Sequence, residues 1–369
     1  MATGLALALL ALSLVVTLGA ARMFAQRLDR LGEAFGLPEA LVGLLTALAA
    51  DGPEISSALI ALAKGEHAVG VGVVVGSNVF NLAAMIGLSA LLSGAVVLRR
   101  AALALEGAMG LAATLLGGAV LLGALAPPLA VGLLVCLGVP YLLVLLGGPE
   151  LAARLPLPVP ARLGLVSALG EREEAHGSRE EAHVSREDAR LEVRGRSLSL
   201  KGPRRTRTRT RARTRTAAPA PVHPHHALWI ISDVALIVAG SFGMVEAAVT
   251  LGGHWGVSGA LVGVLALGPL TSLPNAMTGV RLGLARRGAA LVSETLNSNT
   301  INLAGGVLVP ALFVTVASSS TRGHIDLAWL LGMTCVCLLC LARPRGAGRG
   351  AGAALVLLYL GFVIVQLTY

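Results

Sequence analysis

Apolar runs as long as an α-helix needs to cross a bilayer recur all along this chain. Their cores are residues 2–22, 38–63, 68–93, 101–125, 128–147, 227–250, 258–284, 288–316, 325–342 and 351–368. A spanning helix takes about 20 mostly apolar residues. It also satisfies its backbone N–H and C=O groups internally, as lipid requires. Charged residues supply only 13% of the composition, against about 25% in a soluble domain, so water-facing surface cannot be covered. The mean hydropathy of +0.79 agrees. Soluble, collagenous, coiled-coil, disulfide-scaffold and wholly disordered classes are excluded. The predicted class is an all-α polytopic membrane protein with ten transmembrane helices. The first run ends on Gly19, Ala20 and Ala21, as a signal peptide would, but it lacks a basic lead-in and exceeds a typical h-region. It reads as a span.

Charge placement orients these spans. Of 29 Lys and Arg, 16 lie in residues 148–226 together with nine Asp and Glu, so the pI near 10.4 belongs mainly to that segment. Alternate connections hold Arg22, Arg27 and Arg30; Arg99 and Arg100; the long segment; Arg281, Arg286 and Arg287; and Arg343, Arg345 and Arg349. Only Lys64 and Arg322 occupy the intervening connections. Basic connections stay in the cytoplasm. The expected protein therefore sits in a bacterial-type plasma membrane, with its long loop cytoplasmic and both termini outside.

Residues 148–226 separate five spans from five, giving an N-terminal unit 1–147, a linker 148–226 and a C-terminal unit 227–369. The linker carries Pro156, Pro158 and Pro160, a mixed-charge stretch Glu171–Glu192, and an Arg-Thr alternation from Arg205 to Thr216. Such composition buries no core and reads as disordered. The Arg run is either a solvated linker or a segment drawn to anionic lipid. With no aromatic residue interleaved, it is not read as a nucleic-acid site. Cys136, Cys335, Cys337 and Cys340 lie in apolar runs without accompanying His or charge, and read as small packing residues rather than metal ligands.

The two units repeat one another. Leu41-Val42-Gly43 recurs as Leu261-Val262-Gly263, Pro53-Glu54 as Pro274-Asn275, and Gly76-Ser77-Asn78-Val79-Phe80-Asn81 as Asn297-Ser298-Asn299-Thr300-Ile301-Asn302. The offset is 220 at the first motif and 221 at the others. Equivalent helices lie five spans apart, and an odd number reverses direction, so the predicted units are two inverted five-helix repeats. Secondary transporters use this plan, with binding sites near the midplane at the repeat interface. Asp51-Gly52-Pro53 and Thr271-Ser272-Leu273-Pro274 must break their helices, because proline removes a donor and clashes with the preceding turn. The freed carbonyls cannot face lipid. Together with the Ser and Asn side chains opposite, they define an oxygen-rich pocket suited to Na+ or Ca2+ and poor for soft metals.

These motifs resemble the two alpha-repeats of the calcium/cation antiporter superfamily, which includes the sodium/calcium exchangers; the repeats here run over about 41–92 and 261–312. The resemblance implies a four-helix ion-binding centre and cation exchange by alternating access, without ATP. It also carries two departures. The family pattern has Glu after both prolines, whereas Asn275 stands at the second. Asp51 occupies a position where Ser or Thr is usual. One carboxylate has moved from the seventh span to the second, keeping the count at two.

Intramembrane carboxylates are costly and usually functional. Glu54 is the leading ion ligand. Asp51 is either a second ligand or a helix cap. Asn275 either coordinates through its carbonyl oxygen or bonds between helices. Ser77, Asn81, Thr271, Ser272, Ser298 and Asn302 are ion-site candidates or polar packing residues. The transported metal, Ca2+ or Na+, is assigned to Glu54, Asp51 and Asn275. Glu106, Asp233, Glu246 and Glu294 fall nearer span ends, where water or headgroups suffice. The predicted function is sodium/calcium antiport. Proton- or Na+-coupled exchange of a monovalent cation, or a transport-inactive scaffold with a lipid- or partner-binding loop, are the alternatives. No His-Glu-x-x-His pair, nucleophile elbow or phosphate loop marks an enzyme, and no cofactor is implied. The partners are membrane lipid and inorganic cations, not nucleic acid.

Overall fold

The computed structural model describes residues 2–35, 39–154, 225–316 and 320–368. The disordered linker expected at 148–226 lies, from 155 to 224, outside the described residues. Helix α1 (Thr3–Ala34) leads to α2 (Glu39–Ala50) and α3 (Gly52–Ala63), then α4 (His67–Asn81), a π-helical turn at Leu82–Gly87, and α5 (Leu88–Ser93). Strand β1 (Ala95–Val96), α6 (Arg100–Leu121) and α7 (Pro127–Arg154) follow. The second unit starts with α8 (His225–Trp255), α9 (Gly259–Leu261), a π turn at Val262–Leu267, α10 (Gly268–Thr271) and α11 (Leu273–Leu284). It continues through α12 (Gly288–Leu303), a π turn at Ala304–Leu308, α13 (Thr321–Leu341), β2 (Ala347–Gly348) and α14 (Arg349–Thr368).

Seven helices among the described residues are each long and apolar enough to cross a membrane, and the pair 259–271 and 273–284, bent by 49°, makes an eighth. The protein is an integral, multi-pass membrane protein. The two other expected spans, 38–63 and 288–316, are assembled from shorter pieces. At 38–63 the break is local: Pro53 follows Asp51, whose backbone has φ −83° and ψ −1°, and α3 restarts from it with the Ile55 N–H donating to the Asp51 carbonyl at 3.1 Å. Ser272 has the same geometry, φ −83° and ψ 0°, and its carbonyl accepts from the Ala276 N–H at 3.0 Å. At 288–316 the polar run Asn297-Ser298-Asn299 lowers hydropathy in mid-helix, and a π turn follows.

Local geometry recurs at the same offset. The chain leaves α3 through Gly65 at φ 81° and leaves α11 through Arg286 at φ 56°. In both turns two successive N–H groups close back on the helix, Gly65 on Leu62 and Glu66 on Ala61, Arg286 on Gly283 and Arg287 on Leu282. This is a Schellman-type ending.

The core is α4 and its π turn, with Val73, Val74, Val75, Leu82, Met85 and Ile86 all fully buried. One flank of α4 meets the π turn before α10 at backbone distance. A Cβ on Gly76 would strike the Val264 carbonyl, and one on Gly263 would strike that of Val69. Only glycine permits this approach. On α1 and α7 the exposed face is apolar, with Leu12, Val15, Leu129 and Val135 outward, as lipid contact demands. Two of the acids expected near water are buried instead: Glu106 is 2% exposed and Asp233 1%. Asp233 pairs with Arg27, which also donates to the Trp229 carbonyl at 2.9 Å. Glu246 remains outward, paired with Lys64.

Candidate functional site

Asp51 and Glu54 flank the α2–α3 break, one turn apart, and both are buried, at 1% and 0% exposure. Proline at the start of α3 sets this up. It ends α2, and the restart of the helix carries Glu54 in its first turn, where the helix dipole favours a carboxylate.

Donors to both carboxylates come from the other half of the chain. The Ser298 hydroxyl of α12 donates to Asp51 Oδ1 at 2.6 Å, and the Ser272 hydroxyl, at the α10–α11 break, donates to Glu54 Oε1 at 2.9 Å. The Asn275 amide lies between them, donating to Asp51 Oδ1 at 2.9 Å and to Glu54 Oε1 and Ser298 Oγ at 3.3 Å each. Asn81 of α4 donates to Ser298 Oγ and to Asn299 Oδ1, both at 3.3 Å. Four helix segments thus converge on two carboxylates. No Lys, Arg or His takes part in these bonds.

The second oxygen of each carboxylate is in a different situation. Asp51 Oδ2 and Glu54 Oε2 are buried without a hydrogen-bond partner, as are Ser57 Oγ, Asn81 Oδ1 and Asn302 Oδ1. A buried ionised oxygen without a partner is strongly disfavoured, and a hard cation or a proton is the natural complement. An all-oxygen donor set suits Ca2+ or Na+.

Of the residues singled out in the sequence, Asp51, Glu54, Asn81, Ser272, Asn275 and Ser298 form one network. Asn302, fully buried, joins it through Asn78, donating to Asn78 Oδ1 at 3.3 Å. Ser77 and Thr271 are buried nearby, but their hydroxyl protons serve their own helices, on Val74 O at 3.0 Å and on Leu267 O and Gly268 O at 2.9 and 3.0 Å. Ser57 lies outside the repeated motifs, and Asn78 and Asn299 lie within them but not among the candidate ligands. Ser57 lies three residues after Glu54 on the same helical face. Asn78 and Asn299 occupy one position of the repeated motif, and that coincidence was the available signal.

The profile of the sodium/calcium exchanger protein family matches residues 5–147 and 225–368. The chain belongs to this family, which consists of transporters rather than enzymes. CaxA of Alkalimonas amylolytica, named as an antiporter, is 29% identical over 89 residues, or 24% of this chain and 28% of that protein. The chain therefore matches less than a third of that relative's length. Among solved structures, the sodium-calcium exchanger NCX_Mj, soaked with 2.5 mM Na+ and 1 mM Sr2+, is similar with a TM-score of 0.56 at 15% identity, over 98% of both chains. The H+/Ca2+ exchanger CAX is similar with a TM-score of 0.65 at 15% identity, over 99% of this chain and 82% of that one. At such identities the likeness is one of fold.

Proposed function

We propose that this protein is a secondary cation antiporter that exchanges Ca2+ for Na+ by alternating access. The observation that carries this reading is the pair Asp51–Glu54: each is buried, with one oxygen held by donors from the other half and one without a hydrogen bond. One Ca2+ balances two carboxylates, Asn81 and Asn302 add neutral carbonyl oxygens from the network, and Ser57 carries a buried hydroxyl one turn along α3 from Glu54. When Ca2+ leaves, two adjacent negative charges in a low-dielectric site need replacement cations. That requirement links departure of one ion to arrival of another.

The reading includes ten membrane crossings arranged as inverted repeats in 1–147 and 227–369, joined by a cytoplasmic linker with both termini outside. Recurrence of the helix break (Asp51 and Ser272) and of the turn (Gly65 and Arg286), each 221 residues apart, supports the repeat. The one-sided basic connections support the orientation.

A second reading, proton-coupled exchange of Ca2+ or of a monovalent cation, is favoured by Asn275. It supplies amide donors where the family pattern has a carboxylate, leaving two acids that protons can neutralise. Uptake of radioactive Ca2+ into proteoliposomes, under an outward Na+ gradient or an outward pH gradient, separates the two. Na+-driven uptake is expected. Uptake driven by pH alone selects the second reading. No Ca2+ uptake under either gradient selects monovalent exchange if Na+ or K+ raises the unfolding temperature, and a transport-inactive scaffold if Ca2+, Na+ and K+ all leave it unchanged, since only a ligand-binding native state is stabilised by mass action.

A further inference from the structure

Three connections far apart in sequence meet at one end of the helix assembly. The β1–β2 ladder pairs Ala95 with Gly348 and Val96 with Ala347, joining the α5–α6 and α13–α14 connections. Gly346, at φ 68°, packs so closely on Val96 that a Cβ would strike its carbonyl, and Gly288, at the start of α12, lies equally close to the carbonyl of Val97. The Arg349 guanidinium folds back over the first connection, its Nε 3.9 Å from where a Gly94 Cβ would lie.

This cap is basic throughout. Arg99, Arg100, Arg286, Arg343, Arg345 and Arg349 are exposed on it, and residues 94–100, 285–290 and 342–350 contain no Asp or Glu. Its arginines also stand where a helix disfavours them. Arg99 caps α6 and Arg100 begins it, Arg287 caps α12 just after Arg286, and Arg349 begins α14. Helix N-termini carry partial positive charge and prefer acids, yet none of the three has an acidic residue in its first turn. The preference for basic loops on one membrane face accounts for the sign of these charges. It does not account for their gathering by a strand ladder, or for their position on three N-termini. At Arg100 and Arg349, which begin their helices, an external anion relieves both the crowding of like charges and the dipole conflict.

We propose that this cap is a docking surface for the phosphate headgroups of anionic membrane lipids. Two of its helices, Arg100–Leu121 and Arg349–Thr368, are candidate spans that begin at the cap, which sets it at headgroup depth. Guanidinium groups grip phosphate through paired hydrogen bonds, and basic residues at an anionic leaflet add their attractions. The surface shares no residue with the Asp51–Glu54 network or with the 148–226 segment.

The test uses the full-length protein in calcium-free detergent, which keeps the ion site out of the readout. Its unfolding temperature is followed on adding dioleoyl-phosphatidylglycerol, dioleoyl-phosphatidylcholine, or sodium phosphate at matched ionic strength. Phosphatidylglycerol is expected to raise the midpoint by at least about 3 °C over phosphatidylcholine, a shift typical of a modest stabilisation. The variant Arg100→Gln/Arg343→Gln/Arg345→Gln should lose most of that increment. The variant Arg207→Gln/Arg209→Gln/Arg211→Gln, which removes equal charge from the 148–226 segment, should keep it. Equal midpoints in the two lipids would overturn the proposal. So would a full increment in the cap variant, an equal loss in the 148–226 variant, or free phosphate reproducing the whole effect. If the triple cap variant does not fold, the three single variants are measured, and an undiminished increment in all of them likewise overturns it.

Discussion

Asn78 and Asn299 donate their side-chain amides to each other's backbone carbonyl, at 3.0 and 3.1 Å, across the contact between α4 and α12. They are 221 residues apart, occupy the same place in the two motifs, and each sits one turn before a π-helical turn. At a π turn the regular ladder shifts by one residue, and a side-chain donor from outside steadies the carbonyls there.

Asn78→Ala removes one of these bonds and takes the acceptor from Asn302, so it should destabilise by about 1–3 kcal/mol, the range for a disrupted buried hydrogen bond. Asn299→Ala should cost a similar amount. Because the two residues are in direct contact across the helix pair, the double variant should cost less than their sum, with a coupling of about 0.5–3 kcal/mol. Additive losses in detergent unfolding would show that the two bonds act independently.

The proposed sharing of one ion by Glu54, Asp51 and Asn275 gives a functional prediction. Glu54→Gln keeps size but removes an anionic oxygen, so Ca2+-dependent stabilisation and Ca2+ uptake should both collapse. Asp51→Ser should weaken Ca2+ more than Na+, because a divalent ion needs more neutralising charge. Adding Asn275→Glu to Asp51→Ser should restore part of the Ca2+ response. A double-mutant cycle on Ca2+-dependent unfolding temperature measures this, and strict additivity would mean that Asp51 and Asn275 do not share an ion.

Glycine packing in the core is testable without transport. Gly76→Ala pushes a methyl onto the Val264 backbone and should destabilise by about 1–3 kcal/mol, as overpacking does. Gly118→Ala on α6 meets nothing within 4 Å and should be neutral or stabilising by up to about 1 kcal/mol. Similar losses at both positions would argue against the close helix approach.

The two ion pairs should differ sharply. Asp233 is 1% exposed, and Arg27→Met would leave it buried and unpaired, costing about 3–5 kcal/mol. Arg27→Met with Asp233→Leu should recover most of that. The Lys64–Glu246 pair has 32% and 45% side-chain exposure, so Lys64→Met should change stability by less than about 1 kcal/mol. Thermal unfolding of the three variants ranks them, and a large loss at Lys64 would contradict the assignment of that pair to the surface.

The proposed orientation rests on the basic asymmetry. In a background with the four native cysteines replaced, Ser185→Cys should react with a membrane-impermeant maleimide only after the cells are opened. Labelling of intact cells would reverse the topology.

The membrane class was legible in the sequence because hydropathy is a local property: any 20-residue apolar run must find lipid or protein, whatever lies around it. The helix breaks at Asp51 and Ser272 were legible for the same reason, since proline acts on its own turn. Family membership followed from two short motifs whose spacing survives in one dimension. The direction of side chains was not local. Nothing in the spacing of Asn275 says that its amide bridges two carboxylates, or that Ser77 and Thr271 turn their protons to their own helices while Ser298 gives its proton to Asp51. Asp233 looked like a water-facing acid until α1 brought Arg27 against it. Those choices depend on which backbones approach closely enough to compete for a given donor, and the packing of helices from both halves of the chain decides that.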